Sequence, residues 1–183
     1  MSRQYFEDLP NEPLMVANTA VSFLTAELAL FPAAQIAIPP GDIRPGKVWR
    51  LTAGGIWTPS AATTLTITPR WGTTTAGPTL GASVAQAIAV GAAAEAWWLQ
   101  GLLMCRAMGV PGAANNTFIC QGLFSAGAIA ATISSNNTIA FGGTQTTAGD
   151  ITTAAAQGFF IGMTFSVTAA SMTPQIVTLQ SLN

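Results

Sequence analysis

The sequence predicts an all-β fold: a jelly-roll (Greek-key) β-sandwich with an extended N-terminal arm. Three observations predict it. Short segments of apolar or alternating residues recur along the chain, separated by turns of Gly, Pro, Ser, Thr and Asn. No segment demands a long, capped helix. The strands are unevenly spaced and joined by long connections, which favours Greek-key winding over an up-and-down barrel.

Taken in order, residues 1–16 differ in composition from the rest. The chain has six basic and seven acidic residues. Four of them, Arg3, Glu7, Asp8 and Glu12, lie in the first twelve positions. Pro10 and Pro13 discourage regular structure there. The segment reads as an arm that lies on a neighbour, with Tyr5, Phe6, Leu14 and Met15 as anchors. Residues 17–183 read as one domain.

The body opens with the apolar strand Phe23 to Phe31, stopped by Pro32, and the short piece Gln35 to Ile38, stopped by Pro39. Pro39 to Lys47 is dense turn chemistry. Lys47 to Thr58 sets Val48, Arg50 and Thr52 against Trp49, Leu51 and Ala53, then meets Gly54 and Gly55. A glycine pair inside a strand marks a bulge or the close approach of another backbone. Thr63 to Trp71 carries the strongest two-residue period, with Leu65, Ile67 and Pro69 on one face. Ser83 to Glu95 has the Ala content of a helix but no convincing cap.

Trp97 to Met108 and Thr117 to Phe124 form a candidate hairpin around Gly109 to Asn116. Cys105 and Cys120 are symmetric about that loop and would face each other if it centred the hairpin. Without an export signal, free thiols are expected over a disulfide. Ala128 to Ile133 and Ile139 to Phe141 follow. Phe159 to Thr168 puts Phe159, Ile161, Met163, Phe165 and Val167 on one face, and Gln175 to Leu182 closes the chain around Ile176 and Val177. That makes nine or ten strands, with no internal repeat and no heptads.

Composition excludes several function classes. Only 7% of residues are charged, against about 25% in an ordinary soluble domain. There is no histidine, hence no imidazole base, shuttle or metal ligand. The bases are scattered and the net charge is −1, so a nucleic-acid partner is not expected. No apolar run is long enough for a membrane helix, and the polar, acidic MSRQYFEDLPNEP does not read as a signal peptide. The chain is expected to stay in a reducing compartment.

No motif pairs the acids for catalysis. Asp42 reads as a solvated turn residue beside Arg44, and Glu27 and Glu95 as ion-pair partners for Arg50, Arg70 or Arg106. The serine in GLFSAG (Gly122 to Gly127) has neither the spacing of a nucleophile elbow nor a histidine to serve it. No phosphate loop and no C-x-x-C occurs, and no acid-rich calcium loop. An enzyme is not expected, nor a cofactor or bound metal.

Five tryptophans remain: Trp49, Trp57, Trp71, Trp97 and Trp98. Core or interface roles are expected over sugar stacking. Trp97 and Trp98 point to opposite faces of an extended strand, one into the core and one to a sheet face or subunit contact. With so few charges, the outer strand faces must be covered by Thr, Ser, Ala, Asn and Gln, a surface suited to a symmetric homo-oligomer.

The run from Glu27 to Thr58, with Gly46, Arg50, Leu51 and Gly55, resembles the opening of small jelly-roll proteins encoded among the virion genes of tailed bacteriophages. Thr63 to Gly72, the strand from Trp97 to Arg106, and the end from Asp150 onward resemble the strands that follow in that family. The resemblance covers residues 17 to 183, and the arm is where this chain departs from the shortest members. It implies a virion structural protein assembled in the host cytoplasm, foremost a capsid decoration (cement) protein. Such a protein would form a trimer, with the arm and one end of the jelly roll on the major capsid protein. The alternative is a tail fibre or baseplate module that binds a host-surface glycan through exposed tryptophan.

Overall fold

The computed structural model describes residues 20–23, 25–32, 36–39, 42–91, 93–109, 116–127, 138–147, 157–168 and 170–182. The arm and its anchors Tyr5, Phe6, Leu14 and Met15 lie outside the described residues, as does Ala128 to Ile133. The elements are β1 (Val21–Phe23), β2 (Leu28–Ala29), β3 (Ala37–Ile38), β4 (Val48–Pro59), β5 (Thr63–Trp71), β6 (Gln86–Ile88), β7 (Glu95–Ala107), β8 (Asn116–Ala126), β9 (Thr138–Thr147), β10 (Gln157–Phe165) and β11 (Ala170–Ser181).

They form two antiparallel sheets. One runs β1-β11-β4-β7-β8-β9; the other runs β2-β10-β5-β6, with β3 also on β10. Four pairings are nested in sequence: β5–β6, β4–β7, β2–β10 and β1–β11. The chain is thus one long antiparallel ribbon, closed by the pairings β4–β11 and β5–β10. That winding is a jelly roll, in which two Greek keys make a double sheet. The β8–β9 hairpin extends the six-stranded sheet beyond it.

Alternation decides which side chains fill the space between the sheets. Trp49, Leu51, Ala53 and Trp57 of β4 point inward, as do Leu65 and Ile67 of β5. Phe159, Ile161, Met163 and Phe165 of β10 point inward as well, with Phe159 against Gly101 of β7. The Trp71 and Phe118 rings stack at 4.3 Å, and Trp57 meets Phe124 edge-on at 5.9 Å. Gly101 and Gly122 are directly paired. Their missing side chains admit the rings of Phe159 and Phe141, onto which an added Cβ would press.

Several expectations need correction. Phe23 to Phe31 is not one strand: β1 and β2 serve different sheets, and the chain crosses between them at the edge. Ser83 to Glu95 is extended, with only β6 regular, because Ser83 is tied to β5: its N–H reaches the Ile67 carbonyl and its hydroxyl accepts from the Ile67 N–H, both at 2.8 Å. Val167 lies past the end of β10 and is exposed. The last strand starts earlier than Gln175, at Ala170, and its irregularity between Pro174 and Ile176 leaves Ile176 outward and Val177 in the core.

The hairpin register is shifted by an irregularity between Cys105 and Ala107. Ala107 pairs with Thr117, one residue off the centre of the loop, and the irregularity adds one more, so Cys105 pairs with Phe118 and Cys120 with Leu103, not with each other. Both are free and buried. Burial raises both thiol pKa values, that of Cys120 to about 12.

Candidate functional site

The residues expected to make contacts separate cleanly at Trp97 and Trp98. Trp97 is a core residue: its Nε1 donates to the Ile56 carbonyl at 3.1 Å and its ring stacks on Phe124 at 6.0 Å. Trp98 is 42% exposed on the outer face of the six-stranded sheet. Trp49, Trp57 and Trp71 are buried, so Trp98 is the one tryptophan with an exposed face.

That outer face is the candidate site. Register builds it in rows across β11, β4, β7, β8 and β9. Ile176, Gly54, Trp98, Ser125 and Thr138 form one row; Thr178, Thr52, Gln100, Leu123 and Ala140 form the next. Gln180, Arg50, Leu102, Gln121 and Gly142 form a third. Trp98, Leu102 (43%), Leu123 (46%) and Ile176 (49%) are exposed there, among Thr and Gln side chains. The only charge in these three rows is Arg50, which is half-buried.

Toward β9 the face deepens into a groove of about 610 Å³. Gln100, Leu102, Gln121 and Leu123 form its floor, and Ala82 and Val84 its outer wall. Glycines hold that wall in place. Gly81 (φ +106°) packs on Gly142 (φ +108°), and both conformations disfavour L side chains. An added Cβ on Gly81 would lie 2.6 Å from the Gly142 carbonyl carbon. The groove offers two carboxamides and apolar walls, with no nucleophile, base or carboxylate among its lining residues.

Two ion pairs rivet the framework away from this face. The Arg70 Nε and Nη2 donate to the two carboxylate oxygens of Glu27 at 2.7 and 2.6 Å, while Nη1 donates to the Gly77 carbonyl and the Thr79 hydroxyl. Its hydrogen bonds to Glu27 raise the Arg70 pKa further. Gly162 on β10 leaves the space that Glu27 occupies. The expected pairing of Glu27 is therefore found, with Arg70 as its partner.

Asp42 is not a solvated turn residue. It accepts from Trp49 Nε1 at 2.9 Å and pairs with Lys47 at 2.8 Å, and the Lys47 side chain is only 1% exposed. A buried ammonium requires such a partner. Among the described residues, no three of Cys, Asp and Glu stand together as metal ligands.

No family model matches the chain, and no curated protein does. Among solved structures it is similar to one described as the CBM2 module of Lactobacillus casei BL23 phage J-1 evolved Dit. The identity is 12% and the TM-score 0.30, over 78% of this chain and 66% of that one. The sandwich stands on its own strand order, not on that likeness.

Proposed function

We propose that the protein is a structural component of a bacteriophage virion, a capsid decoration protein that stabilises the head by bridging capsomers. The observation that carries this reading is the broad, nearly uncharged outer face of the six-stranded sheet. A free monomer keeps such a surface in water at a cost, whereas a permanent assembly covers it. The resemblance of residues 17 to 183 to phage virion jelly rolls supports the same reading. In it, the arm (residues 1–16) and one end of the sandwich contact the major capsid protein, and the sandwich itself is a passive, rigid block.

A second reading, a tail module that binds a neutral host glycan, is favoured by the groove over Gln100 and Gln121 beside Trp98. The two readings part in a binding experiment with expanded heads that lack the protein. Added full-length chain should fill the head surface to a fixed stoichiometry, and a chain lacking residues 1–16 should bind with at least tenfold lower occupancy. Failure of the full-length chain to bind would overturn the decoration role; undiminished binding by the truncated chain would overturn the docking role of the arm.

A further inference from the structure

Register reveals a symmetry that the linear sequence hides. Gly101 and Gly122 are directly opposed on β7 and β8. In an antiparallel pair, a local two-fold axis stands normal to the sheet between opposed residues. About this axis Gln100 maps onto Gln121, and Leu102 onto Leu123. The same tripeptide, Gln-Gly-Leu, is thus presented twice, half a turn apart, at the centre of the outer face. Of the next outward residues, Trp98 corresponds to Ile119, both apolar, whereas Met104 corresponds to Ser125.

We propose that this face is the interface of an isologous homodimer, its occupant a second copy of the same chain. Two properties select a copy of itself as partner. First, the groups are self-complementary. A carboxamide both donates and accepts, so Gln meets Gln with both functions used, and threonine hydroxyls behave alike. Leucine meets leucine, and no line of like charge stands in the way. The dyad of an isologous contact lies in the plane of the interface, and one that runs through Gln100 and Gln121 sets each glutamine on its own copy and Leu102 near the partner's Leu123.

Second, the area suffices. The strand β7 has 13 residues, or about 40 Å at ~3.4 Å per residue. Five strands at ~4.8 Å spacing give a width of about 24 Å. The face therefore offers on the order of 900 Å², against ~800 Å² per partner in a standard stable interface. The inference uses the same outer face that carries the virion reading, but the mass of the chain in solution tests it apart from any capsid.

The test is the mass of the purified full-length chain by sedimentation equilibrium at tens of micromolar. The expected result is twice 18.7 kDa. The double substitution L102E/L123E, which brings four carboxylates together in the interface, should return the mass to that of one chain. The neutral change Leu123→Gln should weaken the dimer at least tenfold, and guards against a folding defect caused by charge. Val167→Glu, at an exposed apolar position off this face, should leave the dimer intact. A monomeric wild type would overturn the proposal, as would a dimer that survives both face variants. So would a trimer indifferent to them, or a monomer that binds a neutral oligosaccharide at Gln100 and Gln121.

Discussion

Gly54 and Gly55 are adjacent in β4, yet their environments differ enough for a sharp prediction. Opposite them, Pro174 pairs with Gly55 and Ile176 with Gly54, so Gln175 is left over as a bulge in β11. The bulge drives the Thr173 carbonyl toward Gly55. An added Cβ at Gly55 would fall on the Thr173 oxygen, with Thr173 C and Pro174 Cα each at 3.0 Å. All three are backbone atoms and have no rotamer to move. At Gly54 an added Cβ meets only the Trp97 carbonyl, at 3.3 Å.

Overpacking costs about 1–3 kcal/mol, and a ladder hydrogen bond lost as β11 moves away adds about 1 kcal/mol. Gly55→Ala should therefore destabilise by about 2–4 kcal/mol. Gly54→Ala should stay within about 1 kcal/mol of wild type, because the slight crowding is offset by a less flexible unfolded chain. For a domain of this size the loss at Gly55→Ala corresponds to a shift of roughly 4–16 °C in Tm. The assay is urea unfolding followed by tryptophan fluorescence, with both variants at one protein concentration. Equal midpoints for the two variants would refute the bulge as the reason for the glycine pair.

Other outcomes follow from the same structure. Asp42→Ala removes the carboxylate partner of the buried Lys47 and the acceptor of Trp49 Nε1; thermal unfolding should show a loss of about 3 kcal/mol, with Lys47→Met losing less because the carboxylate left behind is partly exposed and still accepts from Trp49. Arg70→Lys keeps the charge but loses the two-pronged grip on Glu27 and the bonds to Gly77 and Thr79, and should cost about 1–2 kcal/mol in chemical denaturation. Burial holds Cys120 protonated up to about pH 12, whereas its unfolded pKa is near 9. The unfolded chain then binds fewer protons between these values, so its contribution to stability is complete below pH 9 and is lost as pH rises toward 12. In keeping with this, both cysteines should resist alkylation at pH 8 and react once the chain is unfolded.

Much of the fold was legible because alternation is a direct readout of burial. Trp49, Leu51 and Ala53 against Val48, Arg50 and Thr52 held throughout the first half of β4, and the bounds of β5 were found as expected. The glycine pair announced the bulge it accommodates. Local irregularity defeated the same logic elsewhere. The shift between Cys105 and Ala107 moved the hairpin register, and that between Pro174 and Ile176 turned Ile176 outward. Neither shift has a periodic signature.

The site was legible only in part. Opposite faces for Trp97 and Trp98 follow from any extended chain, but which one faces out depends on which sheet the strand joins. The duplicated Gln-Gly-Leu is too short to stand out as a repeat, and it acquires meaning only when the register places Gly101 against Gly122. Asp42 looks solvated in the sequence because its partners Lys47 and Trp49 come together only when the turn folds back on β4.

A structural role in the virion fixes the copy number of this chain in purified particles. Quantitative mass spectrometry of separated heads and tails provides it. The decoration reading requires hundreds of copies per particle, all with the heads. A handful of copies confined to tails would contradict it, and absence from the particle would remove the virion reading altogether.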